Sequence, residues 1–198
     1  MKTMHKHVSI LVIVASLFLT PSVSDAQVKF GIRGGLNAST ISFKNLPNKA
    51  ERFGYHVGVF ADVPVSAGFM SIQPELSYSA KGTAFKPLND RQTLNLNYVD
   101  LLLPVAFKLN IFDLQVGPFA SYMTSTPDYN YYKDNKVFVD GFKKYDVGLT
   151  AGLSMNLNKI VIGLRYNQGF VDITNDNTRA ILGSGKNAVG QVSVGYKF

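Results

Sequence analysis

The residues best able to do chemistry in this chain are one histidine and several scattered carboxylates. Beyond residue 26 the chain has a single histidine, His56, followed six positions later by Asp62. A histidine oriented by a carboxylate can act as a general base towards a nearby nucleophile. No serine stands out as that nucleophile, and a histidine hydrogen-bonded among polar neighbours explains the same residues. The sequence therefore predicts no catalytic residue and no enzymatic activity.

The composition also restricts which ligands the chain could bind. It has no cysteine, so thiolate sites and disulfides are excluded. An oxygen-ligand Ca²⁺ site at Asn89-Asp90 or within residues 172–177 (DITNDN) is conceivable, but neither segment has the spacing of an EF-hand loop. The net charge of +7 comes from singly scattered Lys and Arg residues, without the dense runs that suit nucleic acid. We expect no metal, no cofactor and no nucleic acid.

Charged residues of both signs form the third chemical feature. They alternate with apolar residues, so they share one face of extended segments, and glycines interleaved with them leave room for long side chains. Such a set could select ions in a pore or form a paired electrostatic interior, and a narrow interior favours pairing. The residues assigned to this charge network are Lys29, Arg33, Asp62, Glu75, Asp100, Lys108, Asp146 and Arg165.

The first 26 residues predict a secretory signal peptide. Lys2 and Lys6 make the start basic, and residues 8–19 (VSILVIVASLFL) are predominantly apolar. Ser24 and Ala26 then supply the small residues of a cleavage site. Because a membrane-spanning helix needs roughly 20 apolar residues, this run is too short to be one. We expect the mature domain to comprise residues 27–198.

The elements that position the charged residues are predicted to be β-strands. Polar and apolar residues alternate in eight segments, and each segment is long enough to cross a bilayer as a tilted strand, which takes about 9–11 residues. The apolar face carries no charge, as contact with lipid requires. The sequence therefore predicts an all-β, eight-stranded antiparallel up-and-down transmembrane β-barrel with its polar face inward. The alternating segments are 27–39, 52–65, 68–80, 93–109, 111–123, 145–157, 159–171 and 188–198.

The connections between these strands alternate in length. Short periplasmic turns and long extracellular loops are typical of outer-membrane barrels, and an even strand number places both termini on the periplasmic side. We therefore expect the bacterial outer membrane as the location and its lipid as the partner of the apolar face. The short connections are 66–67, 110 and 158, and the long ones are 40–51, 81–92, 124–144 and 172–187.

A soluble eight-stranded calyx, with the apolar face turned inward around a ligand, is the competing architecture. Alternation alone does not say which face is outside. The strand lengths, the asymmetry of the connections and the face that combines charges with glycines favour the membrane barrel.

The connection 124–144 is rich in aromatic residues. Tyrosine supplies contact area at recognition surfaces with little loss of conformational entropy. This connection could therefore bind an envelope protein or an extracellular ligand. Its aromatic residues could instead extend the flanking strands as a girdle at the membrane interface. The candidate recognition residues are Tyr129, Tyr131, Tyr132 and Phe138.

Several short motifs follow one another in a recognisable order. Residues 31–37 read GIRGGLN and residues 98–104 read YVDLLLP. The chain continues with GPF at 117–119, DVG at 146–148 and RY at 165–166, and it closes with VGYKF at 194–198. Together these motifs resemble the PorT-like outer-membrane β-barrel family of the Bacteroidetes, over essentially all of residues 27–198. In the second motif the proline comes later than that family usually has it.

This resemblance implies a fold, a location and a C-terminal strand, ending in Tyr196 and Phe198, of the kind read by the barrel-insertion machinery. One branch of the family takes part in protein secretion across the outer membrane. We therefore expect a structural or surface-binding barrel that acts through its long loops. The alternative is an accessory component of an envelope secretion or transport machine, and a small-solute channel is a weaker third interpretation.

Overall fold

The computed structural model describes residues 27–43, 49–66, 68–85, 92–124, 142–174 and 183–198. Among them, no helix is long and apolar enough to cross a membrane. The predicted signal peptide, Asn89-Asp90, residues 175–177 and the aromatic residues Tyr129, Tyr131, Tyr132 and Phe138 lie outside the described residues.

The described residues form a wall of eight strands, numbered β1 to β8 in chain order. Three of them, β2, β3 and β4, are each interrupted once. The bounds are β1 Lys29–Phe43, β2 Lys49–Ala50 with Arg52–Ser66, β3 Met70–Ile72 with Glu75–Phe85, β4 Gln92–Leu102 with Val105–Leu109, β5 Phe112–Met123, β6 Tyr145–Leu157, β7 Ile160–Gly169 and β8 Gly185–Lys197.

Every strand pairs antiparallel with its neighbours in the chain, and β8 pairs with β1 to close the ring. The β1–β8 seam is long, since its register runs from Gly31 opposite Lys197 to Phe43 opposite Gly185. The predicted eight-stranded antiparallel barrel is confirmed.

Burial alternates along the strands with a period of two, as pleating requires. In β5, exposed and buried residues alternate without interruption from Phe112 to Met123. The exposed set is apolar, with Leu36, Val194 and Leu164 more than half exposed, whereas the inward set is largely polar. The soluble calyx is contradicted, because its apolar face would have to point inward.

Two of the short connections are two-residue turns that begin with asparagine. Asn110 and Asn158 both have φ of +58°, a left-handed conformation that asparagine tolerates better than most residues. The third short connection contains Gly68 with φ of +82°, so β3 begins at Met70 and not at residue 68. We call the end of the barrel that carries these turns the turn rim, and the opposite end the loop rim.

At the loop rim the strands extend further than predicted. β1 reaches Phe43, β3 reaches Phe85 and β8 begins at Gly185, so the connections predicted at 40–51, 81–92 and 172–187 are shorter than expected. The prediction failed because outward residues of these extensions, such as Ser42 and Lys186, are polar while the inward Ile41 is apolar, so the alternation is lost. The connection 124–144 keeps its predicted bounds.

Prolines account for the interruptions of β3 and β4. Proline lacks the N–H that a ladder needs, yet the carbonyls of Pro74 and Pro104 still accept hydrogen bonds. Ala61 donates to Pro74 at 2.9 Å, and Gln73 donates to Pro104 at 2.8 Å. The segment predicted as one strand, 93–109, is therefore split at Leu103-Pro104 while the wall stays continuous.

Candidate functional site: the lumen and its two rims

One carboxylate holds two guanidinium groups at the middle of the lumen. Arg33 Nη1 donates to Glu75 Oε2 at 2.6 Å, and Arg165 donates to both oxygens of Glu75, at 3.1 and 2.9 Å. Arg33 is 4% exposed and Glu75 2%, and the guanidinium of Arg33 lies 4.7 Å from the ring centre of Phe60. This middle layer (Arg33, Glu75, Arg165) ties β1, β3 and β7 together across the barrel.

A second charged cluster fills the lumen near the turn rim. Asp62 Oδ2 accepts from Lys108 Nζ at 2.7 Å and from Lys197 Nζ at 3.1 Å. Lys108 also lies 3.3 Å from Asp113 Oδ2, and Lys197 donates to Asn156 Oδ1 at 2.7 Å. These contacts join β2, β4, β5, β6 and β8, so the lumen is bridged by charge pairs here as well.

The third charged cluster lies between the middle layer and the loop rim. Lys81 Nζ donates to Asp100 Oδ1 at 2.7 Å and to Ser121 Oγ at 3.1 Å. Its ammonium group is also 4.9 Å from the ring centre of Tyr98, within cation–π range. Asp146 is 0% exposed and accepts a hydrogen bond from Asn187 at 2.9 Å.

His56 belongs to a network of neutral polar groups. Its Nδ1 lies 2.7 Å from Asn37 Oδ1, which also accepts from Gln191 at 2.9 Å. Asp62 lies six residues further along β2, about 20 Å away in an extended strand, so the two do not form a base-and-orienter pair. Within the described residues, no group of three or more His, Cys, Asp or Glu side chains is placed to hold a metal ion.

An apolar plug closes the lumen at the loop rim. Two connecting segments contribute to it, because Phe142 forms a β-bridge with Thr174 and Lys143 donates to the carbonyl of Ile173 at 2.7 Å. Ile173 in turn donates to Gly185 at 2.9 Å and is 0% exposed. The plug consists of Ile41, Leu94, Leu96, Tyr98, Met123, Phe142 and Ile173.

Exposed aromatic side chains on the outer face gather at both rims. Two aromatic girdles separated by an aliphatic band mark the two interfaces of an outer-membrane barrel. At the loop rim they are Phe53, Tyr55, Tyr122, Tyr145, Tyr166 and Phe170, and at the turn rim Phe30, Phe69, Phe112, Tyr196 and Phe198.

Comparison with known families agrees with this geometry. A family model described as "Outer membrane protein beta-barrel domain" matches residues 22–175. This chain belongs to that family. As an outer membrane protein β-barrel domain, it presents the apolar outer face to lipid, which confirms the predicted location in the outer membrane. The narrower resemblance to the PorT-like branch stays a prediction.

Solved outer-membrane barrels share the fold of this β-barrel domain. Ail, the attachment invasion locus protein of Yersinia pestis, has 14% identity and a TM-score of 0.51, with 87% of this chain and 99% of that chain covered. Neisserial surface protein A has 11% identity and a TM-score of 0.57 over the same shares. A major outer membrane protein of Thermus thermophilus has 13% identity and a TM-score of 0.51, covering 86% and 99%. No curated protein sequence matches the chain.

The residues predicted for the charge network have different surroundings in this outer membrane protein β-barrel domain. Arg33, Glu75 and Arg165 meet in the middle layer, and Asp62 meets Lys108 near the turn rim. Asp100 pairs with Lys81, whereas among the described residues Asp146 accepts a hydrogen bond from the amide of Asn187 and forms no ion pair. Lys29 is exposed at the turn rim and forms none of these ion pairs, because it lies at the very start of β1.

Three members of these clusters were not assigned to the charge network. Lys81 was placed in a loop, whereas β3 carries it into the lumen. Asp113 and Lys197 face inward, as their positions in the alternation of the predicted strands 111–123 and 188–198 indicate. Tyr196 and Phe198, the C-terminal residues expected to be read by the barrel-insertion machinery, both lie exposed on the outer face. Their ring centres are 5.7 Å apart.

Proposed function

We propose that this barrel is a non-enzymatic, non-conducting outer-membrane protein that acts as a structural or surface-binding component through its long connections. The middle layer carries this proposal: Glu75 spans the lumen to two arginines on other strands. Charge pairs lie on both sides of this layer, and the apolar plug lies beyond them at the loop rim, so the rims remain as the surfaces available for binding.

The energetics of the lumen argue against ion passage. An eight-stranded barrel has an interior just wide enough for side chains. Removing one partner from a buried ion pair costs about 3–5 kcal/mol, and an ion crossing this lumen would have to displace three charged clusters in succession. It would also have to cross the plug, whose largely apolar side chains do not replace its hydration shell.

The orientation follows from the connections. Short turns are periplasmic and long connections extracellular in outer-membrane barrels, so the turn rim with both termini faces the periplasm and the loop rim faces outward. In this proposal the connection 124–144, with Tyr129, Tyr131, Tyr132 and Phe138, lies on the cell surface. There it would contact an envelope protein or an extracellular ligand.

Ion flux from proteoliposomes tests the closed lumen. We expect the purified protein to release potassium from loaded vesicles no faster than protein-free vesicles do. Vesicles containing a general porin serve as the positive control. Steady unitary conductance in planar bilayers would contradict the proposal and favour the channel.

Cysteine labelling on whole cells tests the orientation, since the natural chain has no cysteine. Lys144 at the loop rim and Lys159 at the turn rim are both exposed, which makes Lys144→Cys and Lys159→Cys a matched pair. A membrane-impermeant maleimide should label only Lys144→Cys on intact cells and both variants after lysis. Labelling of Lys159→Cys alone on intact cells would reverse the assignment.

Trimming of the aromatic connection separates a surface-binding role from the secretion alternative. We would compare exported proteins and surface adhesion in cells that lack the protein, in cells with the full chain and in cells lacking residues 127–139. Loss of adhesion in the trimmed strain with normal export supports surface binding. Loss of export in the deletion strain, restored equally by both chains, would support the secretion machine instead.

A further inference from the structure

The outer face of the barrel carries a depression of about 580 Å³. Its floor contains three small residues of neighbouring strands, Ala38, Gly190 and Ala151. Ala38 lies opposite Gly190, and Tyr166 of β7 lies between Gly190 and Ala151. Its walls are Leu36, Phe53, Leu164 and Val192. We call this depression the outer groove.

Packing within the barrel does not require the small floor of the outer groove. A Cβ atom added at Gly190 would find Ala38 O as its nearest neighbour, at 3.9 Å, which is ordinary van der Waals contact. A larger side chain would therefore fit there. The groove is apolar space that the protein leaves open to an occupant from outside the chain.

Polar residues lie between the groove and the loop rim, on the same outward face. Gln168, two residues beyond Tyr166 on β7, accepts a hydrogen bond from the Tyr166 hydroxyl at 3.0 Å. Lys186 is exposed and lies opposite Ser42 in the β1–β8 ladder. A hydroxyl, an amide and an ammonium group thus follow the apolar groove in order along the strands.

A second lysine lies near Lys186. Lys143 donates to Ile173 O at 2.7 Å and Ile173 donates to Gly185 O at 2.9 Å, so two ladder steps of about 4.8 Å each separate the backbones at Lys143 and Gly185. Asp172, an acidic residue of this region, accepts from the backbone N–H of Gly185 at 3.0 Å. Glu51, in the interruption of β2, is exposed at the same rim.

We propose that the outer groove binds an acyl chain of a phosphorylated glycolipid of the outer leaflet, with a phosphate of its headgroup held by Lys186 and Lys143. Phe53 and Tyr166 of the loop-rim aromatic girdle line the groove, which places it at the outer edge of the hydrocarbon layer. The row of Ser42 lies four residues beyond Ala38, about 13 Å further along the strand and thus in the headgroup layer. This assignment rests on the orientation in the proposed function.

Native mass spectrometry of the purified protein in detergent tests the site, with diphosphoryl lipid A as the probe. We expect one tightly bound lipid A per barrel. Lys186→Gln should weaken binding about tenfold, because a charge-assisted hydrogen bond to phosphate is lost. Gly190→Leu should weaken it at least about tenfold, because the new side chain occupies the volume that the acyl chain needs.

Two matched variants serve as controls. Lys159→Gln removes an exposed lysine at the turn rim, and Ala120→Leu enlarges a small outward residue on β5, on another part of the wall. Both should bind lipid A within about twofold of the natural chain, which is the scatter expected for surface changes. A boiling-dependent gel shift establishes that every variant is folded.

Three results would overturn the groove assignment. They are unchanged lipid A binding by Gly190→Leu, equal binding of phosphatidylglycerol or dephosphorylated lipid A, and a dimer that forms through the groove in place of the lipid. Because binding is measured on purified protein, it does not depend on orientation. Failure of the labelling experiment would reject the extracellular assignment, whereas failure of lipid binding would reject only the groove.

Discussion

Glu75 is the residue on which the interior depends most. It is the only acidic partner, among the described residues, of both Arg33 and Arg165. Two guanidinium groups close to one carboxylate repel each other, and burial strengthens that repulsion because water no longer screens it. The barrel tolerates both arginines only while Glu75 is ionised between them.

Glu75→Gln tests this dependence. The variant leaves Arg33 and Arg165 buried without an anion, so we expect the free energy of unfolding to fall by about 3–5 kcal/mol. Denaturant unfolding in detergent micelles measures it. Glu51→Gln, at an exposed acidic position, serves as the control and should change little. An equal fall in the free energy of unfolding for both variants would show that the middle layer does not stabilise the barrel more than a surface charge does.

At the residue scale, the sequence predicted which side chains face inward better than it predicted their partners. The parity of Asp62, Asp100 and Arg165 follows from their position among alternating apolar residues. Partners depend on strand tilt and register, which the sequence does not encode locally. Lys81 shows the limit, because a lysine followed by Gly82 is typical of a loop, and only pairing with β4 carries it into the lumen.

The β1–β8 seam is the element on which closure depends. β1 has adjacent glycines with opposite surroundings. A Cβ at Gly35 would lie 1.9 Å from Val192 O, while at Gly34 the nearest atom is His56 O at 3.6 Å. The chain backbones of β1 and β8 therefore approach each other more closely at Gly35 than any side chain allows.

We expect Gly35→Ala to destabilise the barrel by about 1–3 kcal/mol, as overpacking does, and to reduce the folded fraction in the outer membrane. Gly34→Ala is the neighbouring control and should be neutral or slightly stabilising, because alanine restricts the unfolded chain. The ratio of shifted to unshifted protein on an unboiled gel gives the folded fraction. A similar ratio for both variants would mean that β1 and β8 adjust easily.

The plug gives a prediction for the connecting segments. Ile173→Ala removes a fully buried side chain, so we expect faster hydrogen exchange at the amides of Ile173 and Lys143. Ion flux should stay at the protein-free level, because the middle layer still fills the lumen below. Val171→Ala, a half-buried neighbour, is the control with unchanged exchange. If the Ile173→Ala variant conducts ions and Val171→Ala does not, the plug and not the middle layer is the main barrier to ions.

At the element scale, the parts of the strands that face lipid on one side and polar groups on the other could be predicted, and β6 matches its predicted bounds 145–157. The ends of the strands at the loop rim could not be predicted. There outward residues such as Ser42 and Lys186 are polar, while the inward Ile41 belongs to the plug. Without an apolar outward face and a polar inward face, the period of two that locates a strand is weak.

At the scale of the whole molecule, ring closure predicts resistance to detergent. In an unboiled sample the ladder between every neighbouring pair of strands should survive, and the compact barrel should migrate differently from the boiled chain. Gel mobility of the outer-membrane fraction, with and without boiling, measures this. Recovery of an unshifted band in the soluble periplasm would contradict the membrane barrel.

The overall architecture was predictable because several independent signals in the sequence agree. Strand length, an uncharged outward face and the alternation of short and long connections all require the same closed barrel. The outer groove was not predictable, because Ala38, Ala151 and Gly190 are far apart in the chain. Only the register of β1, β6, β7 and β8 brings them into one row.

The long β1–β8 seam also constrains how the chain can reach its native state. Gly31 pairs with Lys197, so one edge of β1 stays unpaired until the last strand, β8, has formed. The entropic cost of closing this loop is modest, since each doubling of loop length adds only about 0.6 kcal/mol. The effect on the folding rate is large, because folding slows as contacts become less local. Until closure, β1 presents an open edge and an uncovered apolar face, both of which promote aggregation. A chain built this way needs protection of its first strand throughout transit.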